Sequence, residues 1–277
     1  MNSANIRIRD CFERLRTENK AGLITFITAG DPNKEISQII LEKLPGAGAD
    51  LIELGMPFTD PMADGPAIQF SSQRALSNGQ TTARTLEMVH KFRRGDSQTP
   101  VILMGYYNPI YSYGSLQFCK DAAAAGVDGL IVVDLPPEED PDLREPAHNA
   151  GIDFIRLTAP TSNNSRLPEL LTHGSGFIYH VSVAGITGAK SANTGSVIND
   201  LRRIRKFTSL PVAVGFGIKN PDQAANIASL ADAAVVGSAI VEKIANMGNS
   251  TEGLDEVLKF VQDLSRAVKT AHRLESL

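Results

Sequence analysis

Eight short apolar runs recur along the chain, each followed by a stretch of helical character. This alternation limits the fold more than any other feature of the sequence. The runs are Leu23–Thr28, Leu51–Leu54, Val101–Met104, Gly129–Val133, Phe154–Leu157, Phe177–Val181, Val212–Val214 and Ala233–Val236. Each is nearly continuous rather than alternating, the mark of parallel strands covered on both faces. Alternating βα units imply right-handed crossovers and a parallel sheet. Eight of them predict closure into an α/β (β/α)8 (TIM) barrel; a doubly wound open sheet is the alternative. The 277 residues exceed a typical domain. Barrels of about 250 residues fold as one unit, so a single domain over 1–277 is expected.

Helical patterns fill the intervals. Lys34–Leu44 follows Asp31-Pro32, Gly114–Ala125 stops at Gly126, and Leu201–Phe207 and Pro221–Leu230 precede the last two strands. Proline at a helix start and glycine past its end match helix punctuation. Ile6–Leu15 is expected as an extra amphipathic helix plugging the barrel bottom, and Glu252–Lys269 as the closing helix. Two connections, Gly55–Pro66 and Val183–Gly195, are too long for plain βα turns. Both leave C-terminal strand ends, the face on which barrels carry their active sites. The second, after strand six, is expected to be a long lid loop; mobile surface loops are the alternative.

Composition removes several classes of function. Apolar residues make up 42% and charged residues 21%, and the net charge of -4 comes with no Lys/Arg run longer than two. That argues against a nucleic-acid surface. No apolar run approaches the ~18 residues of a membrane span. Cys11 and Cys119 have no CxxC partner, which disfavours a disulfide framework or a redox role and fits a reducing compartment. The first twenty residues carry Arg7, Arg9, Asp10, Glu13 and Arg14 and no apolar core of a secretory signal, so a cytoplasmic location is expected. No His/Asp/Glu cluster has metal-ligand spacing, so no metal is expected. The predicted strands contain no lysine, which disfavours Schiff-base chemistry.

Glycines cluster at two successive strand ends. Strand seven runs into Gly215-Phe216-Gly217, and strand eight into Gly237-Ser238 before what reads as a short extra helix. Many barrels bind phosphate at this corner, because glycine lets backbone N–H groups approach an anion and a helix N-terminus adds favourable partial charge. Ser238 supplies a hydroxyl, and Gly188 after strand six completes the ring of donors. A flavin phosphate would suit the same corner.

Glu53 is a carboxylate in an otherwise apolar strand, Leu51-Ile52-Glu53-Leu54. It shares a face with Leu51 and is expected at the barrel mouth. Apolar neighbours favour its neutral form and push its pKa toward neutrality, which suits general acid–base work. A structural ion pair is the alternative. Asp64, in the loop Pro61–Pro66, is either a second functional carboxylate or a turn former; Asp60 reads as a turn former. Phe26, Tyr106 and Phe216 are candidates for walling an aromatic substrate, with Asn108, Asp134, Thr158, Tyr179 and Thr187 also placed at the mouth. His180 is expected to be a core histidine.

These residues lie in motifs that resemble a known family. The stretch from Leu51 to Pro66, with Glu53-Leu54-Gly55, Pro57-Phe58-Thr59-Asp60-Pro61 and Ala63-Asp64-Gly65-Pro66, is similar to the signature of the tryptophan synthase alpha chain. Ala184–Gly188, Gly215–Ile218 and Gly237–Val241 resemble three further family blocks in the same order. The likeness spans essentially the whole chain. It implies cleavage of indole-3-glycerol phosphate to indole and glyceraldehyde 3-phosphate without metal or organic cofactor. It implies Glu53 as the general acid–base and Asp64 as the partner of the indole N–H. Tyr179 and the lid residue Thr187 are matched, Gly188, Gly217, Gly237 and Ser238 are implied phosphate contacts, and Phe26, Tyr106 and Phe216 an indole wall. It further implies a beta-chain partner in an α2β2 heterotetramer, facing the loop around Asp60 and the segment 108–114. Val183-Ala184 and Met104-Gly105 depart from the family pattern and bear on lid closure and pocket fit. A stand-alone lyase that releases free indole, a silent phosphate-binding activator and a flavin barrel are the competing functions.

Overall fold

The computed structural model describes residues 6–182, 190–215 and 217–273. Nine parallel strand segments form one sheet: β1 Gly22–Thr28, β2 Leu51–Gly55, β3 Val101–Gly105, β4 Gly129–Val132, β5 Asp153–Phe154, β6 Arg156–Thr158, β7 Ile178–Val181, β8 Val212–Gly215 and β9 Ala233–Val236. Their order is β5-β4-β3-β2-β1-β9-β8-β7-β6. The sequence pattern makes the fifth run one strand, and here it is split at Ile155. The Ile155 N–H still donates to the Leu130 carbonyl at 2.9 Å. β5 and β6 are therefore two halves of one strand, and the ring is that of a (β/α)8 barrel.

Side chains alternate between the two faces of each strand. Ile24, Leu51, Ile102, Ile131, Ile155, Phe177, Ala213 and Ala233 point into the barrel, where they meet Ile8, Phe12 and Leu15 of α1 (Ile6–Thr17). The rings of Phe12 and Phe177 lie 5.7 Å apart. Helix α1 thus seals the bottom, as its amphipathic spacing predicts. Outward residues such as Leu23, Ile27, Ile52, Leu54, Leu103 and Leu130 form the second core, under the surrounding helices.

The bottom is also pinned by charge. The carboxylate of Asp128, buried, meets Arg7 at 2.7 Å and Arg93, and accepts the Val101 N–H at 2.7 Å. Asp50 accepts the Leu23 N–H at 2.8 Å and pairs with Arg14 at 3.1 Å and Lys269 at 2.6 Å. The opposite end is left open for chemistry.

The helices that follow are α2 Lys34–Lys43, α3 Pro66–Ser77, α4 Thr82–Arg93, α5 Tyr107–Tyr113, α6 Ser115–Ala125, α7 Pro141–Asn149, α8 Leu167–Leu171, α9 Lys190–Ile204, α10 Pro221–Ala228, α11 Ser238–Met247 and α12 Leu254–Thr270. Side-chain caps start three of them. Asn33 accepts from the Ile36 N–H, Thr81 from Arg84 and Asn220 from Gln223. Helix α9 corrects the expected lid. It begins at Lys190, so Gly195 lies inside a helix rather than in a loop, and the expected helix 201–207 is only its end. The rest of that loop, 183–189, lies outside the described residues.

Candidate active site

Glu53 sits in β2, in register with Phe26 on β1 and Ile102 on β3. Strand parity turns it inward, past the apolar layer that α1 closes. It is 1% exposed and pairs with no cation among the described residues; its Oε1 has no hydrogen-bond partner there. A buried charge without a partner is strongly disfavoured, so burial raises its pKa from 4.5 to about 8. Near pH 7 this side chain is predominantly a neutral acid with one oxygen unsatisfied.

Asp64 comes from the β2–α3 loop. Its Oδ2 accepts a hydrogen bond from Tyr106 Oη at 3.0 Å, and the same hydroxyl accepts the Ala63 N–H at 2.9 Å. Burial raises its pKa and the Tyr106 bond opposes that rise. The carboxylate does not cap α3, whose N-cap is Gly65 without a side-chain bond. The loop is closed instead by backbone: the Asp64 N–H donates to the Pro61 carbonyl at 3.0 Å, and the Asp64 carbonyl accepts from Gln69 at 2.8 Å.

Tyr179 projects from β7. Burial, then the charges of Glu53 and Asp64, raise its pKa and keep the phenol neutral. Its hydroxyl stands where the neighbouring strand has no side chain. A Cβ at Gly215 would lie 2.4 Å from Tyr179 Oη.

These groups share one cavity of about 350 Å³, within the usual range for small-molecule sites. Phe26, Glu53, Asp64 and Tyr179 line one part of it, and Gly217, Gly237 and Ser238 another. Gly217 has φ +76°, a conformation natural to glycine. Ser238 is the first residue of α11, so the N-terminus of a ten-residue helix opens on the cavity. Gly188, Thr187 and Phe216 lie outside the described residues.

Other expected mouth residues go elsewhere. Tyr106 does not line this cavity; it stands behind Asp64, its ring 5.5 Å from that of Phe58. Thr158 and His180 face outward, Oγ1 and Nδ1 3.1 Å apart, with Asp200 of α9 beyond the imidazole. His180 is thus a core histidine, as expected. Asp134 accepts the Tyr107 N–H at 2.8 Å and starts α5, within which Asn108 lies. Lining residues not singled out as site residues by the sequence include Met104, Val235, Lys219 and Glu242. Parity alone would have found the first two, each two positions beyond an inward residue.

A larger groove, about 860 Å³, opens at the barrel bottom beside α1. It is remote from the strand C-termini, and Arg14, Asp50 and Lys269 along it are engaged with one another. Among the described residues no group of His, Cys, Asp or Glu is placed to hold a metal ion, and no helix is long and apolar enough to cross a membrane.

A parallel (β/α)8 barrel whose strand C-termini bring two carboxylates and a glycine-lined corner into one cavity has the layout of a barrel enzyme's active site. The chain matches the family described as tryptophan synthase alpha chain over residues 12–269, and it belongs to that family. It is similar to the tryptophan synthase subunit alpha of Legionella pneumophila, with 37% identity and a TM-score of 0.87 over 97% of this chain and 98% of that one. A protein of Aquifex aeolicus is 32% identical, with a TM-score of 0.86 over 95% and 99%. The aminoacrylate-bound tryptophan synthase of M. tuberculosis gives 32% identity and a TM-score of 0.85 over 95% and 99%. Family membership carries the alpha-subunit role in tryptophan biosynthesis and a lyase activity. The family is known as part of a complex with a beta chain.

Proposed function

We propose that this chain cleaves indole-3-glycerol phosphate to indole and glyceraldehyde 3-phosphate by retro-aldol chemistry. The observation that carries the proposal is Glu53, a buried acid with an unsatisfied oxygen, in a cavity shared with Asp64 and a glycine corner. The bond to break joins indole C3 to the glycerol chain. Its electrons can return to the ring only after C3 is protonated. Glu53, held neutral, gives that proton; positive charge then develops on the ring nitrogen, which the Asp64 carboxylate stabilises. Glu53, now ionised, takes the proton of the adjacent glycerol hydroxyl. The carbonyl of glyceraldehyde 3-phosphate forms as the C–C bond breaks, and indole leaves neutral. Phe26 and Tyr179 flank the ring, and Gly217, Gly237 and Ser238, with Gly188, hold the phosphate. Binding at both ends keeps the reacting bond over Glu53.

The chain works, on this proposal, as one domain in the cytoplasm, joined to a beta chain in an α2β2 assembly. Met62 in the β2–α3 loop and Tyr111 on α5 are large apolar side chains, 79% and 69% exposed, on the surfaces assigned to that partner. The decisive experiment is an indole-release assay on indole-3-glycerol phosphate, with and without a beta chain. Release that depends on Glu53 and rises with the beta chain is expected. No release under either condition refutes the proposal, and full turnover without the beta chain favours a stand-alone lyase.

A further inference from the structure

The cavity presents three carboxylates, Glu53, Asp64 and Glu242, and a single cationic side chain, Lys219, among its described lining. A phosphorylated substrate brings about -1.5 to -2 charges of its own at pH 7. Backbone N–H groups and the α11 N-terminus offer only partial positive charge, roughly half a unit. Glu242 follows Ser238 by one helical turn, on the wall where the phosphate is expected, and opposes an anion there. Lys219 lies two residues past Gly217 on the other side of that corner. Its backbone is fixed: the Lys219 N–H donates to Gln223 Oε1 at 2.7 Å, and the next residue, Asn220, caps α10. Its exposed ammonium joins no ion pair among the described residues.

We propose that Lys219 is a further phosphate-binding residue, whose ammonium reaches the outer phosphate oxygens, offsets Glu242 and makes the site select doubly charged substrates. This rests on the cleavage of indole-3-glycerol phosphate proposed above. Neither substitution touches a helix cap, because Lys219 is fixed through its backbone and Glu242 is exposed.

The test uses the chain with its beta chain and the variants Lys219→Ala, Lys219→Arg and Glu242→Gln. Lys219→Ala should raise KM for indole-3-glycerol phosphate roughly fivefold with kcat nearly unchanged. It should also flatten the rise of KM between about 20 and about 300 mM salt. Lys219→Arg should restore both, and Glu242→Gln should lower KM. Unphosphorylated indole-3-glycerol should show no change. An unaltered KM and salt slope in Lys219→Ala, or an equal rise for the unphosphorylated compound, overturns the inference. Calorimetric titration with inorganic phosphate separates the two proposals. Weaker binding by Lys219→Ala supports the role of Lys219 even if no indole is released, and equal binding refutes it.

Discussion

The hydroxyl of Tyr106 joins two neighbours in one loop, donating to Asp64 Oδ2 at 3.0 Å while accepting the Ala63 N–H at 2.9 Å. The aromatic ring stands behind the carboxylate and fixes where it points. Tyr106→Phe keeps the ring and removes only the clasp. Turnover of indole-3-glycerol phosphate should fall about tenfold, while the folded state loses about 1 kcal/mol. Steady-state kinetics beside a thermal melt checks this; a collapse in Tm with kcat intact would make Tyr106 purely structural.

The raised pKa of Glu53 predicts a pH profile. The proton donor is lost as pH passes about 8, so kcat/KM should decline above that value, with the limb reporting the free protein. Glu53→Gln should release no indole at any pH.

The same shift sets a stability trend. The folded-state pKa lies above the ordinary 4.5, so the native chain holds this proton more tightly than the unfolded chain. The resulting stabilisation is complete below about pH 4.5 and is lost as pH rises through 8. Glu53→Gln, which never ionises, should therefore gain stability over the parent as pH rises across that window. The ceiling is on the order of 5 kcal/mol. Denaturant melts at about pH 5 and about pH 9, on either side of the window, measure the difference; identical gaps at both would remove the linkage.

Gly215 is required by its neighbour. A methyl there would fall 2.4 Å from Tyr179 Oη and 2.9 Å from Val235 Cβ, both on walls of the cavity. Gly215→Ala should displace Tyr179 and cut kcat/KM by about tenfold or more. Gly215→Ala combined with Tyr179→Phe, which removes the crowded hydroxyl, should recover part of the loss. No recovery would place the damage elsewhere.

At the barrel bottom, Asp128→Ala leaves Arg93 buried without its carboxylate and the Val101 N–H without an acceptor. A loss of about 3–5 kcal/mol is expected. The folded fraction should keep its kcat, since Asp128 is remote from the cavity; a changed kcat at full folding would argue for coupling between the two ends.

The strands were legible because burial on both faces writes continuous apolar runs such as Leu51–Leu54 and Ala233–Val236, which the structure places within a residue. Parity then told that Glu53 faces inward with Leu51. The break at Ile155 left no mark, since the residue is as apolar as its neighbours. Helix α3 gives little periodic signal, because the residues it buries are Ser71, Ser72 and Ala75, whereas α4 is marked by the Thr81 cap and a buried stripe of Leu86, Val89 and Phe92. Tyr106 was expected on the substrate wall. A sequence gives its strand end, but the partner of its hydroxyl belongs to a loop far away in the chain. Lys219, two residues past Gly217, and Glu242, one helical turn past Ser238, stand beside the glycine corner in the sequence, but only closure of the barrel turns both onto one cavity with Glu53.

Helix α1 has a consequence for how the molecule comes into being. It precedes every strand it seals, and its partners Phe177, Ala213 and Ala233 lie far down the chain. During synthesis this helix leaves the ribosome before every strand it seals, so its full set of partners exists only once β9 has emerged. Until then its apolar stripe of Ile8, Phe12 and Leu15 is an unburied surface on the growing chain, and a ribosome stalled before β9 would display it to any chaperone at hand.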